Sequence, residues 1–139
     1  MKPLTGRKAL VVLSDGLDSA STHSLTDAIE AAQSADTLVY TLRSISPIVK
    51  YSIGGAIRTA FGKGMPRLAE ETGGRAHEMP GNPDAIFSQI EAELRNLYVL
   101  GFGVPADERD TKFHALEVKV KIPNTVVRAR KGYIPQPSF

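Results

Sequence analysis

Cysteine and tryptophan do not occur in the 139 residues. Without cysteine there is no thiolate nucleophile, Cys-type zinc site, iron–sulfur ligation or disulfide, and the redox compartment is left unspecified. Aromatic residues make up only 6% of the chain, so the stacking platforms that single-stranded nucleic acid requires are scarce. No sign of charge dominates: 17 Lys and Arg stand against 15 Asp and Glu, a formal +2. That balance is no electrostatic footprint for nucleic acid or an anionic membrane. Long apolar runs are missing too. The longest, such as Ala9-Leu10-Val11-Val12-Leu13, reach five or six residues, against about 20 for a bilayer span. The start, Met1-Lys2-Pro3-Leu4-Thr5-Gly6-Arg7-Lys8, is not followed by the apolar stretch of about 7–15 residues and the small-residue cleavage site of a signal peptide, which places the chain as written in the cytoplasm.

What is present is ordinary for a globular protein: 42% hydrophobic and 23% charged residues. A chain of this size buries roughly two-thirds of its unfolded surface, enough for a core without metal or disulfide staples. A single domain over 1–139 is expected, with an α/β part at 8–97 and a β extension at 98–133.

The run from Lys8 to Leu13 is continuous, β-branched and closed by Ser14-Asp15-Gly16, the pattern of a strand buried on both faces of a parallel sheet. Ser24 then reads as an N-cap with Asp27 at the third helical position, and Leu25, Ala28, Ile29 and Ala32 recur at helical spacing; these predict an amphipathic helix ending near Ala35. A second buried-type strand at 37–42 completes a βαβ unit with a right-handed crossover. Residues 43–64 have no clear period and read as a long loop with one helical turn at 56–61. Pro66, Leu68 and Ala69 predict a short helix closed by Gly73-Gly74, followed by a short strand at 75–79. Asn82-Pro83-Asp84 opens a further helix with an apolar stripe of Ile86, Phe87, Ile90, Leu94 and Leu97. The period then becomes two at 98–102, 116–122 and 126–130, which predicts a C-terminal antiparallel β meander.

Ser14-Asp15-Gly16-Leu17-Asp18-Ser19 follows the first strand at the carboxyl end, where open α/β sheets bind ligands. Two carboxylates and several hydroxyls suit a hard cation such as Mg²⁺; the same residues suit a polar turn in which Asp15 and Asp18 cap backbone N–H groups. A nucleophilic Ser14 lacks both the Gly-x-Ser-x-Gly elbow and a histidine base. His23, His77 and His114 stand apart, with no His-x-x-x-His pair for zinc. Gly62-Lys63-Gly64 fails as a P-loop, because Ile57 and Gly64 occupy the required glycine and hydroxyl positions. Lys119, Lys121, Arg128, Arg130 and Lys131 are expected on the solvated face of a hairpin, not in a nucleic-acid interface.

Taken in order, these residues resemble a known family. The stretch Gly6 to Ser19, the helix with Ala28-Ile29-Glu30-Ala31-Ala32, and Thr37-Leu38-Val39-Tyr40 look like the second half of a von Willebrand factor type A domain. Leu68-Ala69-Glu70-Glu71-Thr72-Gly73-Gly74-Arg75, Ile90-Glu91-Ala92-Glu93-Leu94-Arg95 with Tyr98-Val99-Leu100-Gly101-Phe102, and Val126-Val127-Arg128-Ala129-Arg130-Lys131-Gly132-Tyr133 are similar to the C-terminal half of the VWFA-related proteins of acidobacterial type. The resemblance covers nearly the whole chain. It implies a partial doubly wound, Rossmann-like parallel sheet. It also implies a non-enzymatic, adhesion-type interaction module, and an extracytoplasmic parent protein, since full-length members often begin with a signal peptide.

The family binds Mg²⁺ through an Asp-x-Ser-x-Ser loop, a threonine loop and an aspartate after the fourth strand. Only the last is matched here, by Asp15, with Ser14 and Asp18 beside it; Asp18-Ser19-Ala20-Ser21 departs from the motif and follows a different strand. The adhesion site is therefore expected to be incomplete and to hold no cofactor in this chain, Mg²⁺ belonging to an intact parent domain. The resemblance makes the strand at 8–13 a central one, so a chain carrying this half leaves one of its edges unpaired. Self-association through the edge from Lys8 to Leu13 is the expected partnership. The alternative from another class is a small Mg²⁺-dependent hydrolase or phosphoryl-transfer enzyme using Asp15 and Asp18, with Lys63 as an anion contact.

Overall fold

A computed structural model describes residues 8–16, 20–44, 63–79, 82–105, 110 and 112–135. The turn expected at 56–61 lies outside them.

Strand β1 (Lys8–Ser14), helix α1 (Leu25–Ser34) and strand β2 (Thr37–Ser44) form the βαβ unit. Helix α2 (Gly64–Thr72) and strand β3 (Ala76–Met79) extend it, and helix α3 (Pro83–Arg95) follows. The three strands form one parallel sheet in chain order, β1-β2-β3, with Lys8 opposite Thr37 and Thr41 opposite Ala76. Alternate β2 residues serve opposite faces. Thr41 sends its hydroxyl to the Met65 carbonyl of α2 at 3.2 Å. Tyr40 and Leu42 pack with Ile86 and Ile90 of α3. Val39 to Leu42 are all buried, so the core is centred on the middle strand.

Local chemistry sets the helix ends. The Ser24 hydroxyl accepts from the Asp27 amide at 3.1 Å while the Asp27 carboxylate accepts from the Ser24 amide at 2.7 Å. This reciprocal cap satisfies two otherwise orphaned donors, and those bonds hold the Asp27 carboxyl below its ordinary range. The buried positions of α1 are Ile29 and Gln33. Ala28 is exposed; the buried Gln33 donates its amide to the Glu71 carbonyl at 2.9 Å, while its Oε1 has no hydrogen-bond partner among the described residues. Asn82 caps α3 by accepting from the Asp84 amide. Phe87 of the expected stripe points to solvent.

The Gly73-Gly74 pair ends α2 for two separate reasons. Gly73 sits at φ +85°, where a side chain is strained. Gly74 sends its amide back to the Ala69 carbonyl at 2.9 Å, and a Cβ on it would run into the Val39 backbone carbonyl. The pair thus stops the helix and lets it lie directly on β2.

The expected antiparallel meander is largely replaced. Residues 98–102, 116–122 and 126–130 form no ladder; the antiparallel pairing shrinks to β4 (His114–Ala115) with β5 (Gly132–Tyr133). The physical reason lies in the cations. Arg128, Arg130 and Lys131 pair with Glu93, Asp36 and Glu70, and the Lys131 amide donates to the Glu71 carbonyl. These contacts fasten the segment to the α/β part, and the Leu116 amide, donating to the Lys131 carbonyl at 2.8 Å, ties it to the start of 116–122. The cations remain solvated, Lys119, Lys121, Arg128 and Lys131 all being exposed, but they stand on no hairpin; the neighbouring Val126 and Val127 are exposed as well.

Candidate functional site

The carboxyl ends of the three parallel strands lie at one rim of the sheet, and the residues singled out by sequence begin there. The Ser14 hydroxyl accepts from the Gly16 amide at 3.1 Å, closing a tight turn in which Gly16 takes φ +80°. This is the polar-turn arrangement for Ser14. Asp15 is exposed beside it; Asp18 and Ser19 lie outside the described residues. Ser14, Arg43 and Glu78 share one register row, and the Arg43 guanidinium pairs with the Glu78 carboxylate. Lys63 is exposed at the start of α2.

Among the described residues no group of three or more His, Asp or Glu side chains is arranged to hold a metal. Mg²⁺ dehydrates reluctantly and needs near-octahedral oxygen ligation. Ser14 and Asp15 by themselves bring one hydroxyl and one carboxylate, fewer oxygens than such a site takes.

A second polar cluster, unforeseen from sequence, lies between the sheet and α3. The Glu93 carboxylate sits between the Arg75 guanidinium at 3.5 Å and the Arg128 guanidinium at 2.8 Å, with its side chain 16% exposed. Burial, then the charge and hydrogen bonding of Glu93, push the Tyr40 hydroxyl above its ordinary pKa. Burial, reinforced by Arg75, pushes the His77 imidazole down. The His77 Nε2 is buried without a hydrogen-bond partner among the described residues. A groove of about 220 Å³ runs nearby between Gly73-Gly74 and residues 127–131, and its charged wall residues Lys131 and Glu70 are paired. The cluster fastens three parts of the chain together: Arg75 at the entry to β3, α3 and the C-terminal segment.

A third feature also departs from the pairing expected on spacing. His114 was expected to be isolated, yet its Nε2 meets the Asp110 carboxylate at 2.8 Å, and its ring stacks on Tyr133, whose other neighbour is the edge of Phe102. The spacing of one helical turn between Asp110 and His114 was the available signal. The Asp110 carboxyl is held below its ordinary range by this bond and by the Lys112 amide.

The largest departure from ordinary burial is on β1. Its outer edge has no partner strand among the described residues. Leu10 is 51%, Val11 38% and Leu13 65% exposed. Leu10 belongs to the face of α1 and α2, whereas Val11 and Leu13 share the register rows of Tyr40 and Leu42 on the α3 face. Among the described residues this apolar strand is partly exposed on both faces, Val12 being more covered than Leu10, and is open along one edge. Exposed apolar side chains continue in the C-terminal part, at Tyr98, Val99, Leu100 and Phe102.

Comparison with protein-family models, with curated proteins and with solved structures finds no match to this chain.

Proposed function

We propose that the chain is a non-enzymatic protein-interaction module, built as the C-terminal half of a von Willebrand factor type A-like, doubly wound domain, with β1 as its recognition element. The observation that carries this reading is the partial exposure of β1 and its open edge. An apolar strand with a free edge is a template for another chain, and contiguous exposed apolar surface marks interaction sites. The parallel order β1-β2-β3 and the helices lying on both sheet faces support the architectural part. Main-chain pairing gives such a surface affinity, and the alternating side chains Leu10, Val11, Val12 and Leu13 give it selectivity.

The reading routes no binding through a cation, since Ser14 and Asp15 alone supply too few of the oxygen ligands that Mg²⁺ takes. Amide exchange of the full chain alone and in mixtures with candidate protein partners tests it. Protection of β1 amides on complex formation is expected, unchanged by Mg²⁺ or by Asp15→Asn. Binding that leaves β1 unprotected, or metal-dependent turnover abolished by Asp15→Asn, overturns it.

A further inference from the structure

The partner of β1 can be specified further, on the basis of the module reading. The Val39 amide donates to the Thr72 hydroxyl and the Thr41 amide to the Arg75 carbonyl, so these two residues turn their backbone groups away from β1. Tyr40 and Leu42 therefore turn theirs toward β1. In the parallel register that pairs Val11 with Tyr40, it is Leu10 and Val12 that answer. Strand alternation leaves the N–H and C=O groups of Ala9, Val11 and Leu13 aimed outward.

We propose that a second copy of this chain pairs with that edge, antiparallel, about a two-fold axis at Val11. This arrangement sets Ala9 against Leu13, Leu10 against Val12, Val11 against itself and Lys8 against Ser14. The outward backbone groups are those of the hydrogen-bonded positions Ala9, Val11 and Leu13, so about six inter-chain bonds form without disturbing the β1-β2 ladder. Side-chain chemistry agrees with the register. Apolar residues meet apolar residues, and the single charge of the strand, Lys8, meets a hydroxyl. Parallel in-register pairing would oppose the two Lys8 ammonium groups, a destabilising arrangement, and would exchange the sheet faces. The antiparallel two-fold keeps faces matched, with Val11 and Leu13 of each copy beside Val11 and Ala9 of the other. The contact is isologous and closes at two copies, joining two three-stranded sheets into a continuous one, β3-β2-β1-β1-β2-β3.

Sedimentation equilibrium of the full chain from low to high micromolar concentration provides the test. The expected mass is twice the 15.0 kDa of one chain. Leu13→Lys, at a side chain already 65% exposed, should keep the circular dichroism and thermal midpoint of the wild type and weaken the dimer at least tenfold. Val11→Lys, which opposes two ammonium groups on the axis, should leave only monomer. Because the chain has no cysteine, Val11→Cys reports the register directly: a short bis-maleimide should cross-link it to its own copy, and should not cross-link Ser34→Cys. A monomer throughout, with rapidly exchanging Ala9, Val11 and Leu13 amides, overturns the proposal. So does a dimer indifferent to both lysine substitutions. A monomer whose Ala9, Val11 and Leu13 amides are protected only by a different protein overturns self-pairing while the module reading stands; absence of self-association and of any β1-dependent partner overturns both.

Discussion

His77 is a part-buried histidine in surroundings that disfavour its charged form. Its imidazole is pushed below its ordinary pKa by burial and by Arg75, with Arg128 acting in the same direction and Glu93 against it. The unfolded chain therefore takes up the proton first. Stability is complete above the ordinary value of about 6.5 and declines as pH falls below it toward the depressed folded value. Thermal midpoints should fall between about pH 7 and pH 5. His77→Leu should flatten that part of the profile, and an unchanged slope in the variant would refute the assignment. None of this was legible at the level of one residue. His77 reads in sequence as an isolated histidine, and its environment is assembled from Arg75, Glu93 and Arg128, the last 51 positions along the chain (128 − 77). The residues that were legible act on their own neighbours: Ser24 and Asn82 as caps, Gly73 and Gly74 as a helix stop.

At the scale of elements, the clasp between the C-terminal segment and the α/β part decides whether 126–130 can be a strand. Arg128 and Glu93 are its best-formed ion pair, and Glu93 also holds Arg75. Arg128 is partly exposed, so solvent discounts the pair. A double-mutant cycle with Arg128→Ala and Glu93→Ala should give a coupling of about 0.5–1 kcal/mol, reduced by added salt. A coupling of zero would show that the segment is held by backbone contacts alone, such as the Lys131 amide on the Glu71 carbonyl. Here the sequence misleads for a physical reason. Period-two alternation at 116–122 and 126–130 is the signature of a strand with one buried face. The same alternation also spaces Arg128 and Arg130 to reach two carboxylates, Glu93 on α3 and Asp36 in the turn between α1 and β2. Periodicity cannot distinguish a ladder from a row of clasps, because the carboxylates are supplied from far along the chain. Strands β1, β2 and β3 were legible because continuous apolar runs between capped helices have few other uses.

For the molecule as a whole, stability is concentrated in one strand. β2 is paired on both sides and carries the buried run Val39 to Leu42. Its Tyr40 and Leu42 amides should exchange most slowly, at the rate of global unfolding, and those of 98–102 among the fastest. Slower exchange at 98–102 than at β2 would mean that the C-terminal part holds a core of its own.

The spatial order of the sheet repeats the order of the chain, and this bears on synthesis. As the polypeptide leaves the ribosome, β1 needs only the next strand, β2, to begin pairing, and β3 adds to a pair already made. Among the described residues no strand of this sheet waits for a distant partner, so the sheet can assemble in the order of synthesis. The cations at 128–131 emerge after Asp36, Glu70 and Glu93, and latch onto carboxylates already in place.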